Sequence, residues 1–239
     1  MNTLMKKKNE SSEQLNIQLF LLCMLAALLC RRLGKISSLR IICGMLRTMI
    51  YVGVYIGWGI SIYKRVIQKS VRNVLIFIAE LIIFWFVVRT TKYFFTMDNQ
   101  IARYLWYSYY IPMLFIPVAV LQAAFFLGKS EEYRLPKWLK GVYIPTAVLV
   151  LLVLSNDLHQ LVFSFPVGSA WSDSHYTYGW GYYVVLVWEV VSALTAFVLM
   201  IYKCKHSQKK KYLPLLGIGA AVLYAVLFIN GVAWVQEIG

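Results

Sequence analysis

Residues 141–202 read GVYIPTAVLVLLVLSNDLHQLVFSFPVGSAWSDSHYTYGWGYYVVLVWEVVSALTAFVLMIY, with neither lysine nor arginine, although Lys140 and Lys203 stand immediately on either side. The chain carries 24 basic residues and a formal charge of +14, so the gap is informative. Within it, apolar runs at 141–155 and 181–202 flank a loop rich in Phe, Tyr and Trp. Basic residues are held on the cytoplasmic side of a membrane, and a base-free loop between two spans has therefore been exported. This hairpin fixes a membrane fold and gives it an outer face.

Working outward, the 239 residues are 60% hydrophobic and 14% charged, with a mean hydropathy of +0.65. A soluble domain carries roughly a quarter charged residues, so the polytopic membrane class follows. Further apolar runs lie at 41–63, 73–88, 104–127 and 213–235, with a shorter one at 15–30. Each longer run approaches the roughly 20 residues that a helix needs to cross the hydrocarbon. The runs are continuously apolar, whereas outer-membrane strands alternate over about 10 residues. The predicted fold is all-α, a polytopic transmembrane bundle of about seven apolar helices. Its expected division is a basic N-terminus with a weak anchor segment at 1–40 and a bundle at 41–239.

With a cytoplasmic N-terminus, the inner segments hold Lys6 to Lys8, Lys64, Arg65, Lys69, Arg72, Lys129, Arg134, Lys137, Lys140 and the lysines from 203 to 211. Arg31, Arg32, Lys35 and Arg40 oppose this orientation. The loops around the base-free hairpin outweigh them, which places 156–179 outside the cell membrane. Basic clusters beside spans indicate anionic lipid head groups as partners rather than nucleic acid. Gly53-x-x-x-Gly57 forms a small-residue face, read as helix packing or as the seam of a homodimer. Prolines 112, 117 and 145 are expected to kink their helices.

Chemistry-bearing residues are few. Glu80 and Glu189 fall near the middle of apolar runs, where a carboxylate costs at least about 2.5–3.5 kcal/mol unless it is protonated, paired or beside a wet cavity. Both are expected to face the bundle interior, as sensing groups or as neutral acids bonded to a neighbouring helix; Arg47 is a candidate partner, although a long side chain near a helix end is expected rather to snorkel towards the outer interface. Asn156 and His159 are three residues apart, so on a helical turn they share a face. Together with Asp157 they point to an outward vestibule lined by Trp171 and His175; the competing reading is an interfacial turn with a solvated imidazole. Cys23, Cys30, Cys43 and Cys204 have no Cys-x-x-Cys spacing and suggest neither a metal site nor disulfides. Zinc-protease, phosphate-loop and serine-hydrolase motifs are missing from the sequence, and no cofactor is expected.

Tyr104-Leu105-Trp106-Tyr107, Tyr109-Tyr110-Ile111-Pro112, Ile116-Pro117, Leu135-Pro136, Ile144-Pro145 and Ser155-Asn156-Asp157-Leu158-His159 together resemble the seven-transmembrane N-terminal sensor region of bacterial histidine kinases. The resemblance extends over about 73–235, with Ser155 where the family pattern often places Thr. It implies a signal-input domain of a two-component system whose last helix returns to the cytoplasm and drives a dimeric kinase. Counting from 41, the chain offers six sensor spans, with no phosphoacceptor-His helix and no ATP-binding boxes. It is therefore expected to be incomplete at its C-terminus and not an enzyme in this form. The function read here is a sensor for a small-molecule, external or membrane-soluble signal. The alternatives are a small transporter or channel, and a scaffold acting through helix pairing.

Overall fold

The structure, a computed structural model, describes residues 2–94, 99–130, 132–166 and 176–206. Five helical segments among them are long and apolar enough to cross a membrane: Arg40–Arg65, Lys69–Tyr93, Gln100–Phe126, Lys137–Leu154 and Trp180–Lys203. The run expected at 15–30 forms part of another helix. The run expected at 213–235 lies outside the described residues.

The chain divides into two compact units between Ile60 and Ser61. The first holds α1 (Asn2–Leu33) and most of α2 (Arg40–Arg65). Arg31 and Arg32 occupy the last turn of α1, where cations favour the negative end of the helix dipole. Gly34 follows, its N–H bonded to Cys30 O at 2.9 Å. A Cβ at Gly34 would come within 3.0 Å of that same oxygen, which accounts for the glycine at this corner.

The second unit contains α3 (Lys69–Phe94), α4 (Asn99–Tyr107), α5 (Tyr110–Phe126), α6 (Lys137–Gly141), α7 (Tyr143–Leu154), α8 (Asn156–His159) and α9 (Trp180–His206). Prolines explain two of the breaks. Pro112 and Pro145 are each the third residue of their helix, where a missing N–H leaves no intrahelical bond unmade. The Pro112 ring cannot donate to Ser108 O, which instead accepts from Ile111 N at 3.2 Å; α4 and α5 thus become two helices within one span. Pro117 alone of the three expected kink sites lies beyond the first turn of its helix, in the interior.

At the centre is α5, with twelve of its seventeen residues buried, packed chiefly against α9 and α3. Lipid tails are as apolar as leucine, so close backbone approach rather than hydrophobicity holds such helices together. Ala119, Ala123 and Ala124 on α5 and Ala193 and Ala196 on α9 are all buried, and supply small side chains for that approach. On α9 the buried positions Tyr182, Val185, Glu189, Ser192, Ala193, Ala196 and Met200 recur every three or four residues, one stripe of the helix.

Polar groups cross the same core. Tyr143 donates to Gln122 Oε1 at 3.0 Å, and Trp188 Nε1 donates to Thr146 Oγ1 at 3.1 Å, so the buried Gln122 and Thr146 each find a partner on another helix. At the far end of α9, Lys203 Nζ donates to the carbonyls of Ala124, Phe125 and Leu127 at 2.9, 2.8 and 3.1 Å. All three ammonium protons are thereby spent on the unsatisfied carbonyls that terminate α5.

Candidate functional site

The polar residues singled out at 156–159 sit at the opposite end of the bundle, where α7 stops. Ser155 turns its hydroxyl back to Leu151 O at 2.7 Å, and α8 makes a single turn. Gln160 ends it in the left-handed conformation, φ 51° and ψ 30°, so the chain reverses and 161–163 passes over the turn just made. Phe163–Ser164 then pairs antiparallel with Thr177–Tyr178, a short ladder that the all-helical expectation did not contain. Gly179 and Gly181 close the structure, their N–H groups bonded to Val162 O and Leu161 O at 2.9 Å each. A Cβ at Gly179 would fall inside the carbonyl of Leu161.

Asn156 is fully buried, and its amide is saturated. Oδ1 accepts from the N–H groups of Val162 and Phe163, both at 3.0 Å; Nδ2 donates to Phe163 O at 2.9 Å and to the Tyr107 hydroxyl at 3.2 Å. These four bonds are all that a primary amide makes. Asp157 shares that hydroxyl: Oδ1 accepts from Tyr107 at 2.7 Å, and Oδ2 pairs with Arg103 Nη2 at 2.8 Å. His159 turns back on the end of α7. Its Nδ1 accepts from Leu161 N at 2.9 Å, and Nε2 lies 3.1 Å from Leu152 O, so a neutral ring with its proton on Nε2 satisfies both. The three side chains are brought together: Asn156 and Asp157 share the Tyr107 hydroxyl, while His159 bonds to backbone groups.

Aromatic rings wrap this turn. Phe163, fully buried, has the Trp106 ring centroid at 4.6 Å, Tyr176 at 5.3 Å, Tyr110 at 5.7 Å and Tyr182 at 6.0 Å. Tyr178 stacks on Tyr182 at 4.0 Å. Offset and edge-on pairs at such distances each add about 0.5–1.5 kcal/mol beyond area burial. The first turns of α5 and α9, the end of α4 and the ladder thus share one aromatic core.

Of the other expected site residues, Trp171 and His175 lie outside the described residues. Glu189 is buried on α9, close enough to Tyr110 and Tyr182 to act on both electrostatically. Glu80 departs from expectation: among the described residues it is exposed on α3. That helix is apolar on every side, so its sequence gives no periodicity from which to place the carboxylate.

Arg103, Tyr107 and Phe163 were not singled out from the sequence as site residues. A signal did exist for Arg103, a lone cation just inside an apolar run. Tyr107 stood in the stretch that carries the family resemblance but with no role attached, and Phe163 carried no signal, since one more aromatic residue at a membrane interface reads as part of the interfacial belt.

No curated protein and no solved structure matches the chain. The family model for the N-terminal 7TM region of histidine kinase matches residues 41–236, which include the turn at 155–159, the aromatic core around it and all five spans but the first residue of the first. This multi-pass membrane protein therefore belongs to the family of histidine kinase N-terminal 7TM regions.

Proposed function

We propose that the chain detects an external or membrane-soluble signal at the end of the bundle bearing the Asn156 turn, and that this end faces outward with the N-terminus in the cytoplasm. The observation that supports this reading is the position of Tyr107. Its hydroxyl joins the span Gln100–Phe126 to both Asn156 and Asp157 at the end of the span Lys137–Leu154, while its ring stacks on Phe163 at 6.3 Å. A signal that shifts the ladder of Phe163–Ser164 and Thr177–Tyr178 must work against this joint, and through Phe163 and Tyr182 it reaches α9.

A binding event moves an equilibrium only by its differential affinity for the two arrangements. The sensing surface is accordingly placed on the exposed rim of the joint, where Leu158 is 88% and Trp180 61% exposed, rather than on the saturated Asn156 amide. The test is to replace the 7TM region of a full-length family member with this chain and to measure kinase autophosphorylation over about pH 5 to 8 and in membranes of different lipid class. Tyr107→Phe, Asp157→Asn and His159→Ala are compared with the parent. A sensor shows a condition-dependent output that Tyr107→Phe and Asp157→Asn alter. Output that no condition and neither variant changes would overturn the reading.

A further inference from the structure

The end of the bundle opposite the Asn156 turn carries a surface that sensing does not use. Its first part is the corner between α2 and α3, where Lys64 and Lys69 are exposed. The second is the connection from α5 to α7, with Lys129, Arg134 and Lys137 exposed. Gln68 Nε2 donates to Ser130 O at 3.1 Å, which makes the two parts one surface. Among its described residues Glu132 is the one carboxylate.

Large apolar side chains stand exposed beside these cations. Ile67, at the corner, is 83% exposed, and Trp138, between Lys137 and Lys140, is 63% exposed. The Trp138 ring is braced edge-on against Phe125 at 5.8 Å, so it is held at the end of α5. A surface in bulk water does not display an indole and a branched alkyl chain together at such exposure without a partner, and hydrocarbon does not accept clustered cations. The head-group layer accommodates both, with indole and alkyl groups at the acyl boundary and ammonium and guanidinium groups at the phosphates.

We propose that the α2–α3 corner and the 128–140 connection form a binding surface for anionic phospholipid head groups. Lys69, Arg134 and Lys137 meet the phosphates, and Ile67 and Trp138 insert beside them. Charge complementarity selects anionic over zwitterionic lipid. The inference does not depend on the sensing proposal.

The test uses the full chain purified in a neutral detergent and titrated with phosphatidylglycerol, phosphatidylcholine or sodium phosphate while the thermal unfolding midpoint is read. Phosphatidylglycerol should raise the midpoint, and the other two should not. Lys69→Gln/Arg134→Gln/Lys137→Gln should raise the half-effective phosphatidylglycerol concentration by about tenfold or more. The same charge change at Arg31, Arg32 and Lys35 should leave it unaltered. An equal response to phosphatidylcholine, an equal loss in the control triple, or full stabilisation by free phosphate would each overturn the proposal. Lipid co-purified with the unmodified protein is a readout that needs no variant: phosphatidylglycerol enriched over the host membrane is expected, and host proportions would sink the idea.

Discussion

Tyr107, with no exposure to solvent, donates its phenolic proton to Asp157 Oδ1 at 2.7 Å across fifty residues of chain. The Tyr107 hydroxyl oxygen in turn accepts from Asn156 Nδ2 at 3.2 Å. A single hydroxyl therefore serves two side chains of one turn, and removing it strands both. Tyr107→Phe is expected to cost about 1–3 kcal/mol, measured as a lowered unfolding midpoint in detergent. A change within about 0.5 kcal/mol would mean that the joint contributes little.

Asn156→Asp separates a turn clamp from a ligand site. The carboxylate keeps the acceptor for Val162 N and Phe163 N but loses both donors, and it faces Phe163 O with a negative charge. It should be at least as damaging to folding as Asn156→Ala, with a loss of about 2–4 kcal/mol. A well-folded Asn156→Asp protein would argue that the buried amide is not needed for the turn.

Gly179→Ala should fail to fold or lose more than about 4 kcal/mol, because the new methyl group would overlap the Leu161 carbonyl. Gly181→Ala, whose Cβ would come within 3.0 Å of the same oxygen, should be milder. Gly53→Ala and Gly57→Ala meet nothing within 4 Å among the described residues and should be neutral or mildly stabilising in dilute detergent. Expression and midpoint measured on all four variants check the order.

Lys203→Met removes the three bonds that end α5 and should destabilise the protein by about 1–3 kcal/mol. Lys203→Arg should restore only part of the loss, since a planar guanidinium cannot direct three protons as an ammonium does. Full rescue by arginine would show that charge alone matters there.

Orientation is tested with single cysteines on a background lacking the four native ones. In intact cells an impermeant reagent should mark Thr177→Cys and leave Lys140→Cys unmarked, in keeping with the basic-loop bias. The opposite pattern would invert the proposed sensing face.

The spans were legible because hydrophobic length is written along the chain, residue by residue. The proximity of Asn156, Asp157 and His159 was legible for the same reason, as neighbours on one turn. Their directions were not. Gln160 enters the left-handed region although it is not glycine, and that one conformation brings 161–163 back over Asn156, so the amide meets backbone where a vestibule was expected. Arg103 and Tyr107 are about fifty residues from their partners, and an ion pair of that separation leaves no local trace. Glu80 and Glu189 look alike in sequence, each a lone acid in an apolar run. Only packing distinguishes them: α9 places Glu189 on its buried stripe, whereas the described neighbours of α3 leave Glu80 uncovered.

The double fastening of α9 has a mechanical consequence. Tyr182 and the first residue of α5, Tyr110, both rest on Phe163, while Lys203 grips the last carbonyls of α5. The two helices run in the same direction and are pinned at both ends, so neither can slide along the other without breaking a pin. Piston displacement of α9 against α5 is thus the costly motion. The cheaper degrees of freedom are those of the pair as a rigid bar, tilting or rotating against α3 and α7 about its own length.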